Sequence, residues 1–595
     1  MEAKQYYASL SASARAERSR LSRSITLIST LRLATVIAAI AAVWIFWSST
    51  PAVIGIILIA IAAFLFLVKY HDRLFSSRAM QDALIAIAGD GLARIALDLK
   101  KMPAGERYIS SRHQYTYDLD VFGTDSLFSL LSSTATVAGS DLLAEHLAAP
   151  DSLRTSIAMR QQAIKELSEN VDFRTHFRAL GIMAQNENAD SVPLDFSKIP
   201  DFKISGWQRA VTWIAPSAIG VLIILEAIGF AVTPLLILAI IVSIVLAGIG
   251  AKRVGHLHST LDTIVKQISA FHSLLRQIED TDFNSPLLIS LQGGLRTGEV
   301  TASVASERLA RILTNLDQRY NWLSYLILNC LLQWDYRQII NAGHWMKLYR
   351  QSLSDWQNVL SSFDELSALA TFSFHNPAYC FPEVVADGDN TVIEAVQMGH
   401  PLIPSQRCVC NDVRSMAAGD FMVVTGANMA GKSTYLRTVG VNYLLALIGA
   451  PVFAKSMRFK PVTLFTGLRT SDSLHDNESY FFAELSRLQS IVRRATAGEP
   501  MFVILDEILR GTNSIDKQKG SLALVSKLTA LGVTGIIATH DLTLGTLADK
   551  FPLHVFNRCF EAEIEGTTMK FSYLLQPGIA KNMNASFLMH QMGIT

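Results

Sequence analysis

The sequence predicts a multidomain α and α/β chain: a mainly helical first part carrying two transmembrane helical hairpins, then a C-terminal P-loop domain. Three observations predict it. Hydrophobic residues make up 50% of the 595 and charged residues only 17%, and the mean hydropathy is positive, which points to membrane segments. Two apolar runs are long enough to be folded in half across a bilayer. Near residue 425, a β-prone run feeds a glycine-rich loop that leads into a helical stretch. A chain this long exceeds one ordinary core, so roughly two to four domains are expected. The net charge of +1 gives no global argument for nucleic acid, although a local basic patch remains compatible with it. Five cysteines suggest no disulfide framework, and Cys408 and Cys410 lack the companions of a zinc site.

Residues 1–32 form a polar, basic N-terminus with Arg15, Arg18, Arg20, Arg23 and Arg32. No charge occurs from Leu33 to Val68, and Ser48-Ser49-Thr50-Pro51 divides this run in two. Each half is somewhat short for about 30 Å of hydrocarbon. Ile25 to Thr30 extend the first if Arg32 snorkels. Basic residues before the run, and Lys69 and Arg73 after it, place both ends of this hairpin (33–68) on the cytoplasmic side. A signal peptide fits poorly, because the apolar region continues into a second segment.

Residues 72–205 read as a helical region. Met80 to Leu99 forms an amphipathic helix. Gly123 to Leu147 carries another, with a turn around Val137-Ala138-Gly139. Ser156 to Asn170 is a third, and Ser191 to Trp207 is more loop-like. A second hairpin, 210–250, lies between Arg209 and Lys252-Arg253, with Pro234 near its turn and Glu226 as its single charge. Buried helices of a large soluble domain are the alternative for both hairpins, but paired segments with basic flanks on one side favour a membrane. Residues 254–370 are again helical. Leu257 to Ile278 and Ser303 to Leu328 repeat apolar residues at three and four, and Trp322, Trp334, Trp345 and Trp356 read as packing residues.

From 371 to 576 the pattern becomes α/β. Phe421 to Val424 forms a strand, and Thr425-Gly426-Ala427-Asn428-Met429-Ala430-Gly431-Lys432-Ser433-Thr434 fits the phosphate-loop spacing. Tyr435 to Leu447 continues as a helix. Gly426, Asn428, Met429, Ala430, Gly431 and Thr434 supply the cradle. Its backbone N–H groups and the positive helix end face phosphate. Lys432 would reach the β- and γ-phosphates, and Ser433 would give a hydroxyl to Mg²⁺. Met501 to Leu505 is a buried-strand pattern ending in Asp506-Glu507. Asp506 would bind Mg²⁺ directly or through water, and Glu507 would orient or activate the attacking water. His540, after Ile536 to Thr539, is placed to bond the γ-phosphate or hold that water. Ser479 suits two roles, capping the helix after it or presenting its hydroxyl across a dimer interface. Together these make a P-loop nucleotide-binding domain suited to a nucleoside triphosphate and Mg²⁺.

The chain resembles the MutS family of DNA mismatch-repair ATPases. The phosphate loop carries the resemblance, with Ser471-Asp472-Ser473-Leu474, Phe482-Ala483-Glu484-Leu485, Leu505 to Ser514, Ala538-Thr539-His540 and Gly399-His400-Pro401. Less specifically, Ser133 to Ser140, Leu142-Leu143 and Arg160 to Ile164 resemble the family's core-lever region. The resemblance implies an ABC-like ATPase using ATP, and a homodimer with composite sites, in which Ser479 approaches the partner's nucleotide and Asn428 contacts nucleotide or the switching machinery. It also implies DNA as a partner. The chain departs from the pattern in several places. The mismatch-reading domain with its Phe-x-Glu wedge, and the connector domain, have no counterpart where the first hairpin stands. The second hairpin interrupts the core-lever region. Cys408 lies near the place where the family carries an adenine-stacking aromatic residue, so stacking must be weaker or come from elsewhere. Residues 577–595 resemble the family's closing helical segment only loosely.

The expected function is a membrane-anchored MutS-like ATPase of the inner (plasma) membrane, with the N-terminus and ATPase domain cytoplasmic. It would couple ATP binding and hydrolysis to lever movement and DNA handling. The alternatives are an ATP-driven transporter and a nucleotide-binding membrane scaffold.

Overall fold

The computed structural model describes residues 2–151, 153–187, 206–427, 429–468, 480–509, 513–565 and 568–581. Asn428, Ser479, the Ser471–Leu474 run, Arg510–Thr512, most of the 191–207 loop and the closing segment from 582 lie outside the described residues.

Two helices open the chain, α1 (Ala3–Ile45) and α2 (Thr50–Ile95). They run antiparallel: Tyr7 meets Gly91, Arg18 pairs with Asp82 at 2.5 Å, and Ser29 Oγ lies 3.1 Å from His71 Nε2. The separate helix expected at Met80 to Leu99 is instead the last part of α2. No glycine or proline occurs from Ile56 to Ala88, so nothing breaks the helix where the apolar run ends. The hairpin has two environments. Its polar base buries Tyr7, Ala83, Ile87 and Ala88 against Ala179. Its far half exposes apolar side chains, with Trp44 81% and Trp47 75% accessible at the turn.

The helical body follows with α3 (Leu127–Leu131), α4 (Val137–Ala148), α5 (Arg154–Glu169) and α6 (Val171–Glu187). The turn expected at Val137–Gly139 falls just before it. Buried Asp364 accepts from the backbone N–H groups of Ala135 and Thr136, both at 2.7 Å. Thr136 Oγ1 then caps α4 by accepting from Gly139 N, so Val137–Gly139 is the first helical turn.

Next come α7 (Gly206–Ala227) and α8 (Thr233–Glu279). Pro234 sits in the first turn of α8, a position that tolerates it. Glu226 closes the tip between them, accepting from Val232 N at 3.0 Å and Thr233 Oγ1 at 2.7 Å. The helix expected from Leu257 is continuous with this apolar start. By length and composition α1, α2 and α7 can each cross a membrane, and Thr233–Ile249 of α8 is a shorter apolar stretch.

The body is completed by α9 (Pro286–Gly293), a small ribbon of β1 (Arg296–Thr297) and β2 (Val300–Thr301), α10 (Ala302–Asp317), α11 (Trp322–Leu332), α12 (Trp334–Tyr349) and α13 (Ser352–His375). The single helix expected over Ser303 to Leu328 is broken. Asn321 Oδ1 accepts from Ser324 N at 3.3 Å, a local bond that starts a new helix there. Trp345 and Trp356 are buried as expected and Trp322 is not. At the other end of the body, His375 Nε2 lies 2.9 Å from Tyr7 Oη, tying the last residue of α13 to α1. Burial keeps His375 neutral, with Arg174, Arg94 and Arg178 acting in the same direction.

The α/β part contains β3 (Glu383–Val384), β4 (Thr391–Met398), β5 (Asn411–Ala417), β6 (Phe421–Gly426), α14 (Lys432–Leu447), β7 (Ser456–Phe459), β8 (Thr463–Gly467), α15 (Tyr480–Thr496), β9 (Met501–Asp506), α16 (Ser514–Ala530), β10 (Thr534–Thr539), α17 (Leu547–Lys550), β11 (Val555–Glu565) and β12 (Thr568–Pro577). A small sheet has the order β3-β7-β4-β5. The main sheet has the order β12-β11-β6-β10-β9-β8, parallel except at β12. Every residue of β6, β9 and β10 is buried, as expected for parallel strands covered on both faces.

Residues 113–121 of the helical body dock on this sheet. Gln114 O accepts from Thr466 N at 2.9 Å. Leu119 fills the space beside Gly440 of α14, where a Cβ would stand 2.6 Å from its side chain.

Candidate functional site

Parallel pairing brings three strand ends to one edge. Thr425 of β6 lies opposite Thr539 of β10, and Ala538 lies opposite Asp506 of β9. The loops leaving these strands therefore begin side by side, outside the carboxyl ends where α/β sheets bind ligands. Gly426 has φ +152 and Gly431 φ +105. A Cβ at Gly426 would stand 2.7 Å from Phe560 O, so this cradle requires glycine there. Met429 also adopts a left-handed conformation, at φ +66, and its side chain is exposed. Ala430 is buried beneath the loop, and Thr434 lies in the first turn of α14.

Lys432 is buried, and its Nζ donates to Gly426 O at 2.6 Å and Ala427 O at 3.0 Å. The ring nitrogens of His540 lie 3.3 and 3.4 Å from that ammonium. Burial lowers the Lys432 pKa to about 8, against the raising influence of Asp506 and Glu507. Ser433 Oγ donates to Asp506 Oδ2 at 2.5 Å. His540 Nε2 lies 2.6 Å from Glu507 Oε1. Glu507 has φ +48, and its N–H donates to Ala538 O at 2.9 Å, so backbone strain is held in place beside the carboxylates. Gly426, Lys432, Ser433, Asp506, Glu507 and His540 thus converge on one cleft. The Ser433 hydroxyl and Asp506 carboxylate form a pair of hard oxygen donors suited to Mg²⁺.

Five other residues shape this site, and sequence motifs did not mark their roles. Tyr573 lies in an irregular part of the β11–β12 pairing, where Phe560 pairs with Leu575 but Ala562 with Phe571. Such a bulge re-aims a side chain. Tyr573 has φ +55 and is 45% accessible, and its ring stands over Gly431, 3.1 Å from where a Cβ would be. Asn411 holds this strand from both sides: its Nδ2 donates to Tyr573 O at 3.0 Å, and its Oδ1 accepts from Leu575 N at 2.7 Å. Tyr573 therefore offers the exposed aromatic face that Cys408 lacks. Glu484 accepts from Leu509 N and pins the chain just past Glu507. Asp118, fully buried, accepts from Thr466 Oγ1 at 2.7 Å, Leu468 N at 3.1 Å and Arg487 Nη2 at 2.8 Å. It joins the end of β8 to α15. Arg160 Nε donates to Ile448 O at the far end of α14. Only long-range contacts reveal these roles, so no local spacing could have signalled them.

Residues 422–590 match MutS domain V. The DNA mismatch repair protein MutS of Fusobacterium nucleatum is 33% identical over 204 residues, 33% of this chain and 22% of that protein. The MutS of Thermotoga neapolitana is 30% identical over 244 residues, 40% of this chain and 29% of its own length. DNA mismatch repair protein MutS 2 of Halobacterium salinarum is 33% identical over 232 residues, 38% of this chain and 26% of its own. The chain thus spans less than a third of the length of these relatives. The stretch that holds Lys432, Asp506 and His540 is thus similar to domain V of MutS.

Proposed function

We propose that this chain is a membrane-anchored ATPase that works as a homodimer and turns ATP binding and hydrolysis into movement of its helical body. The observation that carries this reading is the convergence of Lys432, Ser433, Asp506, Glu507 and His540 at adjacent parallel strand ends. Lys432 exchanges its carbonyl partners for phosphate oxygens. Ser433 and Asp506 would hold Mg²⁺, which neutralises phosphate charge when bound. Glu507 takes or orients the proton of the attacking water, and His540 positions that carboxylate through their short contact. Asn428 contacts nucleotide beside the loop, and Ser479 completes the site of the partner subunit. Tyr573 supplies the stacking surface for adenine.

Four apolar helical segments with exposed side chains support anchoring in the inner (plasma) membrane, with the basic N-terminus and the ATPase domain cytoplasmic. The curated relatives are named for DNA mismatch repair, and we infer DNA as the partner that the moving helices grip. Binding to homoduplex, mismatched and branched DNA in low salt tests this part. Failure to bind any of the three removes DNA from the reading and leaves the ATPase standing. Resistance of the protein to alkaline extraction from membranes tests the anchoring; release into the soluble fraction contradicts it.

A further inference from the structure

Helix α11 is apolar, and no charged residue occurs from Trp322 to Trp334. At 11 residues it is about 16 Å long, too short to span a bilayer and of the size of a buried or re-entrant segment. It is not buried. Trp322 is 74% accessible, and Leu326, Ile327 and Leu331 are also exposed.

Its course follows α8 into the apolar layer. Before α11 begins, the Arg319 guanidinium lies 3.8 Å from where a Cβ on Gly255 would stand. Near its end, Ser243 Oγ of α8 donates to Cys330 O at 2.6 Å. The chain thus moves from Gly255 to Ser243, about 18 Å along α8, past the Lys252-Arg253 boundary toward the hairpin tip. It then turns at Gln333, φ +49, and returns. Tyr336 Oη donates to Leu246 O at 3.1 Å, and Arg337 Nη2 donates to Thr212 O of α7 at 3.2 Å.

A break in a helix at this depth needs internal partners for its polar groups, and most of them have one, Gln333 Oε1 excepted. Gln333 Nε2 donates to Ser243 O and Oγ, both at 2.8 Å. Asp335 N donates to Asn329 Oδ1 at 3.0 Å, and Asn329 Nδ2 donates to Asp335 Oδ1 at 3.3 Å. Ser243, Asn329, Gln333 and Asp335 are all buried. The polar atoms of the turn therefore face protein, while the apolar side chains face outward beside the exposed surfaces of α7 and α8.

We propose that α11 is a re-entrant membrane helix whose face of Trp322, Leu326, Ile327 and Leu331 contacts the acyl chains around α7 and α8. The inference rests on the membrane-anchoring reading. It adds a third element to that side of the bilayer, one belonging to the same helical body that α10, α12 and α13 build, so the body would be seated in the membrane surface as well as tethered to it.

The test uses the full chain in phospholipid nanodiscs, with the native cysteines replaced by serine. Single variants Ile327→Cys, Leu331→Cys, Leu58→Cys in the first hairpin and Arg308→Cys at an exposed position of α10 each carry one fluorophore. Quenching by acyl-chain nitroxide is compared with quenching by aqueous iodide. The labels at 327 and 331 are expected to follow position 58, with strong nitroxide quenching and iodide quenching severalfold weaker than at 308. If position 58 is lipid-quenched while 327 and 331 behave like 308, α11 lies in water and the inference is overturned. Protection of 327 and 331 from both quenchers overturns it in favour of a protein surface. Iodide quenching at position 58 itself removes the anchoring reading, and this inference with it.

Discussion

Arg160 Nε donates to the carbonyl of Ile448 at 2.9 Å, where the phosphate-loop helix α14 ends. The same guanidinium pairs with Glu365 of α13 at 2.5 Å, and Glu365 is fully buried with His146 Nδ1 3.0 Å away. α13 in turn ends at His375, bonded to Tyr7 of the first hairpin. One side chain thus links the helix that carries Lys432 to the helix that reaches the hairpin base. Arg160→Ala leaves the buried Glu365 carboxylate with His146 but without its guanidinium partner and is expected to cost up to about 3–5 kcal/mol in denaturant unfolding. Arg160→Met with Glu365→Leu should recover much of that loss, yet abolish the ATP-induced change in hydrogen exchange along α13. An unchanged exchange response in the double variant would mean that coupling runs elsewhere. Burial alone would raise the Glu365 pKa, but Arg160 and His146 bring it below its ordinary 4.5. The stability from this pair is therefore complete above about pH 4.5 and is lost as pH falls through the lowered value.

Asp118 binds the end of β8 and Arg487 of α15 together. α15 begins at Tyr480, immediately after Ser479. Asp118→Asn keeps the shape but removes the charge facing Arg487. It is expected to reduce ATP turnover while nucleotide affinity stays close to wild type, since no phosphate-loop residue is touched. Equal losses in affinity and turnover would place its effect on the whole domain instead.

Tyr573 stands over Gly431 with an exposed ring. Base stacking on an aromatic side chain is worth about 1–3 kcal/mol, so Tyr573→Ala should weaken ATP binding by roughly five- to 150-fold. Tyr573→Phe should restore it, because the hydroxyl is not the stacking element. The comparison with inorganic triphosphate is decisive: its affinity should be the same in all three proteins.

Lys432 has a pKa of about 8, and phosphate oxygens favour its charged form. Below pH 8 the ammonium is already charged and affinity is flat. Above it, binding must restore the proton, and affinity should fall by up to about tenfold per pH unit. At pH 8, ATP binding should take up about half a proton, measurable by calorimetry in buffers of different ionisation enthalpy. Lys432→Met should abolish that uptake along with most of the affinity.

The phosphate loop, Asp506-Glu507 and His540 were legible in the sequence because a strand followed by a short functional loop is a local arrangement, and parallel pairing then brought those loops together. Two other classes of feature were not legible. Helix limits depended on what lay next to the segment: α2 continues past the apolar boundary without interruption, whereas Asn321 stops α10 from joining α11. Asp118, Arg160 and Tyr573 depended on partners far away in the chain, and Trp322 looked like a core residue because composition does not show which apolar side chains a fold leaves exposed.

The most direct test of the account is MgATP turnover by the full-length protein in nanodiscs, wild type beside Glu507→Gln, with nucleotide binding measured on both. Wild type should release phosphate steadily. Glu507→Gln should still bind ATP but turn over about 10²–10⁴-fold more slowly. Equal, background-level rates in the two proteins would contradict hydrolysis at this site and leave a nucleotide-binding scaffold.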